Sequence, residues 1–185
     1  MLGNDPVATF KQLMAPHLGP AYYLARWLVR DDHDAEDVVQ EALIRAFRFF
    51  DGRSGENPRG WVLKVVRNTA YTFLRQNRKH ELDTEFDEQL HGDLASPVGG
   101  SETPETSLER SDQRRLLEDA VGALPVEFRE VFLLREIEGL SYKEIAAVAE
   151  IPIGTVMSRL SRARRGLQAA VGKKEERDQI HAAAT

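Results

Sequence analysis

The sequence predicts an all-α protein of two small helical domains joined by a flexible acidic linker, the C-terminal domain being a helix-turn-helix. Apolar residues recur at three- and four-residue spacing through both halves of the 185-residue chain, as amphipathic helices require. Residues 81–111 lose this periodicity and gain Glu, Asp, Ser, Gly and Pro. The predicted units are therefore a first domain (1–80), a linker (81–111), a second domain (112–172) and a charged tail (173–185), expected to fray.

The charges are strongly segregated along the chain. The net charge of −5 is an average over residues 1–80 at +3, residues 81–112 at −9 and residues 113–185 at +1. Binding to a charged partner follows the local charge rather than the total. The acidic total therefore does not exclude a nucleic-acid partner.

Composition and hydropathy also indicate the compartment in which the protein is expected. The chain has no cysteine, which excludes disulfides and thiolate metal sites and suits a reducing cytosol. Its N-terminus does not have the basic and apolar pattern of a signal peptide, and no stretch approaches the roughly 20 apolar residues that span a bilayer. We expect a soluble cytoplasmic protein that does not insert into membranes.

The first helical segment covers residues 7 to 30, with a break or kink at Pro16, Gly19 and Pro20. Asp34 is the expected N-cap of the next helix, which reaches residue 50. One face of this helix is apolar and the opposite face is polar. Four-residue spacing joins the polar residues into one ridge: Asp37, Gln40, Glu41 and Arg45. Composition alone favours a solvated surface for this ridge.

Asn57 and Pro58 are predicted to start a third long helix, reaching Arg78, after a Gly-rich loop at 51–58. Residues 57–80 hold six basic residues and no acid. Basic residues interleaved with Trp61 and Tyr71 are typical of surfaces that bind single-stranded nucleic acid, although Trp61 can equally be a core residue. The candidate surface consists of Trp61, Lys64, Arg67, Asn68, Tyr71 and Arg75.

Two further helices precede the helix-turn-helix. The first carries an apolar stripe of Leu116, Leu117, Ala120 and Leu124. The second, from Val126 to about Glu138, is predicted to bury Phe128, Val131, Phe132, Leu134 and Ile137. Gly139 is expected to end it.

The helix-turn-helix begins at Ser141, which forms a capping box with Glu144. After Pro152 a second helix buries a stripe of Val156, Leu160, Ala163 and Leu167. No acidic residue occurs from 151 to 172, and such a helix fits the major groove of DNA. The alternative is a basic helix that only packs in a bundle. The candidate contacts are Thr155, Met157, Ser158, Arg159 and Arg162.

Four segments together resemble the extracytoplasmic-function (group 4) sigma factors of the bacterial sigma-70 family. They are DAEDVVQEALIRAF (34–47), PRGWVLKVVRNTAYTFLR (58–75), LPVEFREVFLLREIEGLSYKEIA (124–146) and IPIGTVMSRLSRAR (151–164). The resemblance covers almost the whole chain in the family's order. It implies that residues 1–80 are sigma region 2 and that residues 112–172 are sigma region 4.

The resemblance implies a role for each surface and reverses the solvated interpretation of the ridge. The ridge Asp37, Gln40, Glu41 and Arg45 would dock on the β′ clamp of core RNA polymerase, whose β subunit is a further partner. The loop at 51–58 and the helix after it would open the −10 element and capture an unstacked base. The second helix of the helix-turn-helix would read the −35 duplex, and the acidic linker would lie in the polymerase's nucleic-acid channel. An anti-sigma factor is also implied, with no cofactor, metal or catalytic residue. Met157 and Ser161 depart from some members, so a base preference does not transfer.

Two other functions remain to be distinguished from a sigma factor. A conventional helix-turn-helix regulator would bind duplex DNA without polymerase. An enzyme is disfavoured, because the five histidines are scattered and the chain has no P-loop, dinucleotide fingerprint or nucleophile elbow. The charge segregation further predicts a compact, self-masking free form, in which deletion of residues 84–108 increases DNA binding.

Overall fold

The computed structural model describes residues 5–50, 57–83, 115 and 117–183, and regular structure within these ranges is entirely helical. The helices are α1 (Pro6–Met14), α2 (Leu18–Val29), α3 (Asp32–Arg48), α4 (Pro58–Asp83), α5 (117–122), α6 (Val126–Glu136), α7 (Tyr142–Ala149) and α8 (Ile153–Ala183). We call α1–α4 the N-terminal bundle and α5–α8 the C-terminal bundle. The predicted fold class is confirmed, while the acidic linker lies outside the described residues, apart from the end of α4.

The predicted break in the first segment is confirmed. A 3-10 turn at Ala15–His17 separates α1 from α2, because Pro16 cannot continue an α-helical ladder. Helix α2 ends at Arg30, which adopts a left-handed conformation with φ 66° and donates its backbone N–H to the Arg26 carbonyl.

The predicted N-cap of α3 was wrong. Asp31, not Asp34, caps the helix: it is extended, and its carboxylate accepts a hydrogen bond from the Asp34 N–H at 2.9 Å. Only Arg30 and Asp31 separate the two helices, and since Arg30 closes α2, Asp31 takes the capping position of α3. Asp34 lies within the first turn of α3, where partial burial, followed by repulsion from Asp31 and Asp37, raises its pKa.

The predicted start of α4 is confirmed, since the Asn57 side-chain oxygen accepts a hydrogen bond from the Gly60 N–H at 2.8 Å. The helix runs beyond the predicted end at Arg78, to Asp83. It packs against α2 and α3 and contributes Val62, Leu63, Val66 and Ala70 to the core.

Helix α6 is enclosed more completely than its apolar pattern predicts. It packs against α8 and α7 and also against α2 of the N-terminal bundle. Arg129 and Glu130 are therefore buried beside Val131 and Leu134. The predicted burial of Ile137 was wrong: the residue is 51% exposed, because α6 ends at Glu136 and Gly139, at φ 64°, turns the chain away.

The helix-turn-helix forms as predicted. Helix α7 begins at Ser141 and ends at Glu150, which is left-handed with φ 56°, and α8 follows Pro152. The apolar stripe of α8, from Val156 to Leu167, is buried. The backbone of α8 continues as helix to Ala183, through most of the segment predicted as a frayed tail.

The two bundles pack directly on each other. Helix α4 contacts α7, and α2 contacts α6. The buried apolar residues of both bundles belong to one hydrophobic cluster that reaches from Phe10 to Leu167. This packing brings one face of α4 against the C-terminal bundle.

Candidate nucleic-acid interface

The capping box holds the start of the helix-turn-helix. The Ser141 hydroxyl accepts a hydrogen bond from the Glu144 N–H at 3.3 Å, and the Glu144 carboxylate accepts from the Ser141 N–H at 2.8 Å. The Ser141 hydroxyl also donates to Glu144 Oε2 at 2.7 Å. The Ser141 side chain, followed by its backbone N–H, lowers the pKa of Glu144. The box thus satisfies backbone donors at the N-terminus of α7, the first helix of the motif.

The residues predicted to read duplex DNA lie outside the buried stripe of α8. Met157, Ser158 and Arg162 are exposed, while Thr155 and Arg159 are half-buried. The Ser158 hydroxyl donates to the Thr155 carbonyl at 3.0 Å, and the Arg162 guanidinium lies 5.9 Å from the centre of the Phe128 ring. Polar and cationic side chains outside the buried apolar stripe of α8 therefore face solvent.

The residues predicted to bind single-stranded DNA are placed differently, because four of them face carboxylates of the C-terminal bundle. Arg67 Nε donates to Glu130 Oε1 at 2.6 Å, and the Tyr71 hydroxyl donates to Glu130 Oε2 at 2.8 Å. At the edge of the contact Lys64 forms an ion pair with Glu150 at 2.9 Å. The Asn68 amide donates to the same Glu150 at 3.3 Å.

The pKa values follow from this pairing. Burial alone would lower the pKa of Arg67, but its hydrogen bond and attraction to Glu130 outweigh burial and raise it. Burial, then the negative charge and hydrogen bond of Glu130, raises the pKa of Tyr71. Arg159 of α8 lies close enough for its charge to oppose that rise. Arg67, Tyr71 and Arg159 are thus close in space, although they come from two different predicted surfaces.

The other two residues of the predicted α4 surface are not part of this pairing. Trp61 is half-buried and packs against the hydrophobic cluster, which agrees with the core alternative. Arg75 is exposed and donates to the Thr72 hydroxyl at 3.3 Å.

The polar ridge of α3 is accessible. Asp37, Gln40 and Glu41 are exposed and Arg45 is half-exposed, with Arg45 Nε donating to Glu41 Oε1 at 2.7 Å. Ile44 and Phe47, on the same helix, are 49% and 41% exposed. The ridge therefore lies beside solvent-facing apolar side chains, a composition suited to a protein partner.

Sequence reasoning missed the acidic and basic residues that connect the bundles. Arg59 donates to both the carbonyl and the carboxylate of Glu138, at 2.7 and 2.5 Å, and Asn57 donates to Glu144 at 3.2 Å. Arg129 donates to the Gly122 carbonyl at 2.6 Å and reaches the Leu28 carbonyl at 3.5 Å. The available signal was Arg129-Glu130, two adjacent charged residues between the apolar residues Phe128 and Val131 of α6.

Among the described residues, no group of His, Asp or Glu side chains is arranged to hold a metal ion. None of the helices described has the length and apolarity required to cross a membrane.

Two family descriptions match the chain: Sigma-70 region 2 over residues 13–80 and Sigma-70 region 4 over residues 114–167. The ECF RNA polymerase sigma-E factor of Haemophilus influenzae is 33% identical over 148 residues, covering 78% of this chain and 77% of that protein. The chain belongs to the ECF sigma factors of the sigma-70 family. The RNA polymerase sigma-H factor of Pseudomonas aeruginosa is 34% identical over 148 residues, covering 77% and 76% of the two chains.

Solved structures agree with this membership. This sigma factor is similar to the sigma factor RpoE of Bartonella quintana, solved with the anti-sigma factor NepR, with a TM-score of 0.72 and 28% identity over 88% of this chain and 96% of that one. It is also similar to CnrH, solved with the cytosolic domain of CnrY, with a TM-score of 0.58 and 26% identity over 89% and 88% of the chains. The protein is a sigma factor that directs promoter recognition. Sigma factors act as regulators and not as enzymes.

Proposed function

We propose that this sigma factor binds core RNA polymerase through the α3 ridge, the −35 duplex through α8 and the −10 single strand through α4. The observation that carries the proposal is the solvent-facing side of α8. Met157, Ser158 and Arg162 are exposed there, the apolar stripe on the other side of the helix is buried, and the segment contains no acidic residue. A helix of this kind can enter the major groove and contact both bases and phosphates. That chemistry supports the assignment of α8 to the −35 duplex.

The α4 surface supplies the second DNA contact in this proposal. Lys64 and Arg67 are phosphate-binding cations, and Tyr71 offers an aromatic face on which an unstacked base can lie. The Arg67 guanidinium lies 4.3 Å from the centre of the Tyr71 ring, so the charge and the stacking surface are adjacent. Capture of one displaced base would offset the few kcal/mol that unstacking requires.

The α3 ridge supplies the polymerase contact. Asp37 and Glu41 are exposed acids on the same helix as the exposed apolar Ile44 and Phe47. Charged residues at the rim steer association, while desolvated apolar contacts slow dissociation. The ridge therefore suits a helical partner such as the β′ clamp, with the β subunit contacting the C-terminal bundle.

The proposal has three further parts. The protein does no covalent chemistry of its own, acts in the cytoplasm, and serves an alternative regulon of the stress or envelope type. RpoE was solved with the anti-sigma factor NepR and CnrH with the cytosolic domain of CnrY, and both match most of this chain. We include an anti-sigma factor among its partners on that basis.

Gel filtration with bacterial core RNA polymerase tests the proposal. The full-length protein should co-elute with core enzyme, and the double variant Asp37→Arg/Gln40→Ala should not. A matched variant, Asp119→Arg/Gln168→Ala, makes the same charge change at exposed residues of the C-terminal bundle and should co-elute normally.

Each outcome separates the candidate functions. Loss of co-elution in the ridge variant alone supports polymerase docking through α3. A wild-type protein that does not co-elute with core enzyme but binds duplex DNA by itself overturns the proposal and favours the conventional regulator. Normal co-elution of both variants assigns docking to another surface, and equal loss in both shows that the effect is not specific to the ridge.

A further inference from the structure

The C-terminal bundle covers the α4 surface with four carboxylates, which we call the interface carboxylates: Glu130, Glu138, Glu144 and Glu150. Each accepts a hydrogen bond from a side chain at or near the start of α4 or along its basic face. The partners are Asn57, Arg59, Lys64, Arg67, Asn68 and Tyr71. The surface proposed to bind the −10 strand is therefore already engaged within the chain.

Glu130 is the centre of this contact. It is fully buried, and its two carboxylate oxygens are each used, one by Arg67 and one by Tyr71. The Arg67 side chain retains only 15% of its exposure. A buried carboxylate is stable only while both its charge and its lone pairs are satisfied. The position of Glu130 thus depends on the residues that the proposed function assigns to DNA.

The outer carboxylates extend the same pattern toward solvent. Glu150 receives Lys64 and Asn68, and these hydrogen bonds lower its pKa. Glu138 is 7% exposed and receives Arg59. Arg, Lys, Tyr and Asn are the donors that proteins direct at DNA phosphates, and a carboxylate oxygen accepts from them with similar geometry. The interface carboxylates therefore use the same donors that the proposed function assigns to DNA.

The closed arrangement also contains an element that limits its stability. Arg129 is 4% exposed at the contact between α6 and α2, and its Nε has no hydrogen-bond partner. Burial, then repulsion from Arg30, lowers the pKa of Arg129 to about 10. Burying an incompletely satisfied cation costs free energy in the closed form. The closed form is therefore less stable than it would be if every buried donor had a partner.

We propose that the C-terminal bundle is an intramolecular competitor of single-stranded DNA, holding the α4 surface closed in the free protein through Glu130 and Glu150. This inference rests on the proposed function of α4. The exposed face of α8 is not covered, so the two DNA surfaces differ in the free protein: the duplex reader is accessible and the strand-binding surface is not. Single-stranded DNA and core polymerase bind the open form. The apparent affinity for single strands falls in proportion to the open fraction.

Two measurements on the full-length protein test this inference. The chain has no cysteine, so cysteines introduced at the exposed positions Lys11 and Gln168 can carry a donor and an acceptor dye, one in each bundle. Fluorescence anisotropy with a labelled mixed-sequence single-stranded 20-mer reports binding without polymerase. The test variant is Glu130→Gln/Glu150→Gln, which keeps shape and removes charge.

The matched control is Asp119→Asn/Glu136→Gln. It removes the same charge from the same bundle; Glu136 pairs with Arg164 inside that bundle at 2.8 Å, and Asp119 is exposed. The test variant should lower energy transfer and bind the 20-mer at least tenfold more tightly than wild type. The control should stay within twofold of wild type in both measurements.

The outcomes are distinguishable from failure of the proposed function. Unchanged energy transfer and unchanged 20-mer binding in the test variant overturn the closed contact, whatever happens with polymerase. Lower energy transfer without tighter 20-mer binding keeps the closed contact but removes α4 as a strand-binding surface, which contradicts the proposed function. Equal gains in test and control variants assign the effect to net charge and overturn the inference. Circular dichroism that matches wild type shows that each variant is folded.

Discussion

Removal of the Ser141 hydroxyl should weaken the helix-turn-helix by a predictable amount. Ser141→Ala deletes the side-chain acceptor of the Glu144 N–H and the donor to Glu144 Oε2, while leaving the backbone bond from residue 141 to the Glu144 carboxylate in place. Loss of an N-cap side chain costs about 1 kcal/mol of unfolding free energy. For a chain of this length that corresponds to a fall of about 2–4 °C in Tm.

The effect should depend on pH with a defined sign. The pKa of Glu144 is lowered, chiefly by the Ser141 side chain, so the carboxylate contributes stability that is present above the ordinary Glu value and lost as pH falls through the lowered value. Ser141→Ala removes the largest part of that contribution, while the backbone bond from residue 141 to the Glu144 carboxylate remains. The difference between wild type and variant should therefore be about 1 kcal/mol at pH 7 and become smaller as pH falls through the lowered pKa of Glu144.

Urea unfolding followed by circular dichroism at pH 7 and pH 3 measures this difference. Ser161→Ala is the control, since Ser161 is exposed on α8 and alanine slightly favours helix. The capping box predicts a Ser141→Ala difference of about 1 kcal/mol at pH 7. A difference below about 0.3 kcal/mol at pH 7, or one that is larger at pH 3 than at pH 7, would refute this reasoning.

Two further pairs of substitutions test the packing of the C-terminal bundle. A Cβ at Gly166 would lie 2.9 Å from Leu124 Cδ2, the end of a side chain that must shift to make room, so Gly166→Ala should stabilise less than Gly172→Ala, which has open space and should gain up to about 1 kcal/mol; urea midpoints compare them. Arg129→Met should remain within about 1.5 kcal/mol of wild type, because it removes a buried charge at similar length, whereas Arg129→Ala should cost about 2–5 kcal/mol through the cavity it leaves. Equal losses in both Arg129 variants would show that its hydrogen bonds dominate.

Local signals predicted most of the fold. The Ser141–Glu144 box, the Asn57 cap and the break at Pro16 depend on residues within a few positions of one another, and all three form. The buried stripe of α8 follows from helical periodicity alone. These features need no information from distant parts of the chain.

Contacts between the bundles were not predictable in the same way. Glu130 and Arg129 are polar residues in α6, and periodicity assigns such residues to solvent. They are buried because α2 packs on the side of α6 that its own bundle leaves free, and because Arg67 and Tyr71 of α4 bond to Glu130. Ile137 shows the converse: its apolar character predicted burial, but the end of α6 places it at the surface.

The candidate site was likewise predictable only in part. The sequence predicted which residues of α4 form one polar surface, and Lys64, Arg67, Asn68 and Tyr71 do lie together. It placed the masking charge in the acidic linker, whose residues 84–111 lie outside those described, so the linker-deletion result stays a prediction. The carboxylates that cover α4 instead belong to α6, α7 and the turns beside them, at sequence separations of 59 to 87 residues.

Transcription from genomic DNA with purified core RNA polymerase tests the central claim most directly. Core enzyme is incubated with fragmented DNA of the host and this protein, and the 5′ ends of the transcripts are sequenced. The account predicts discrete start sites that appear only when the protein is added, that share sequence near −35 and −10, and that are lost with Arg67→Ala/Tyr71→Ala. Start sites that are random, or identical without the protein, would contradict it.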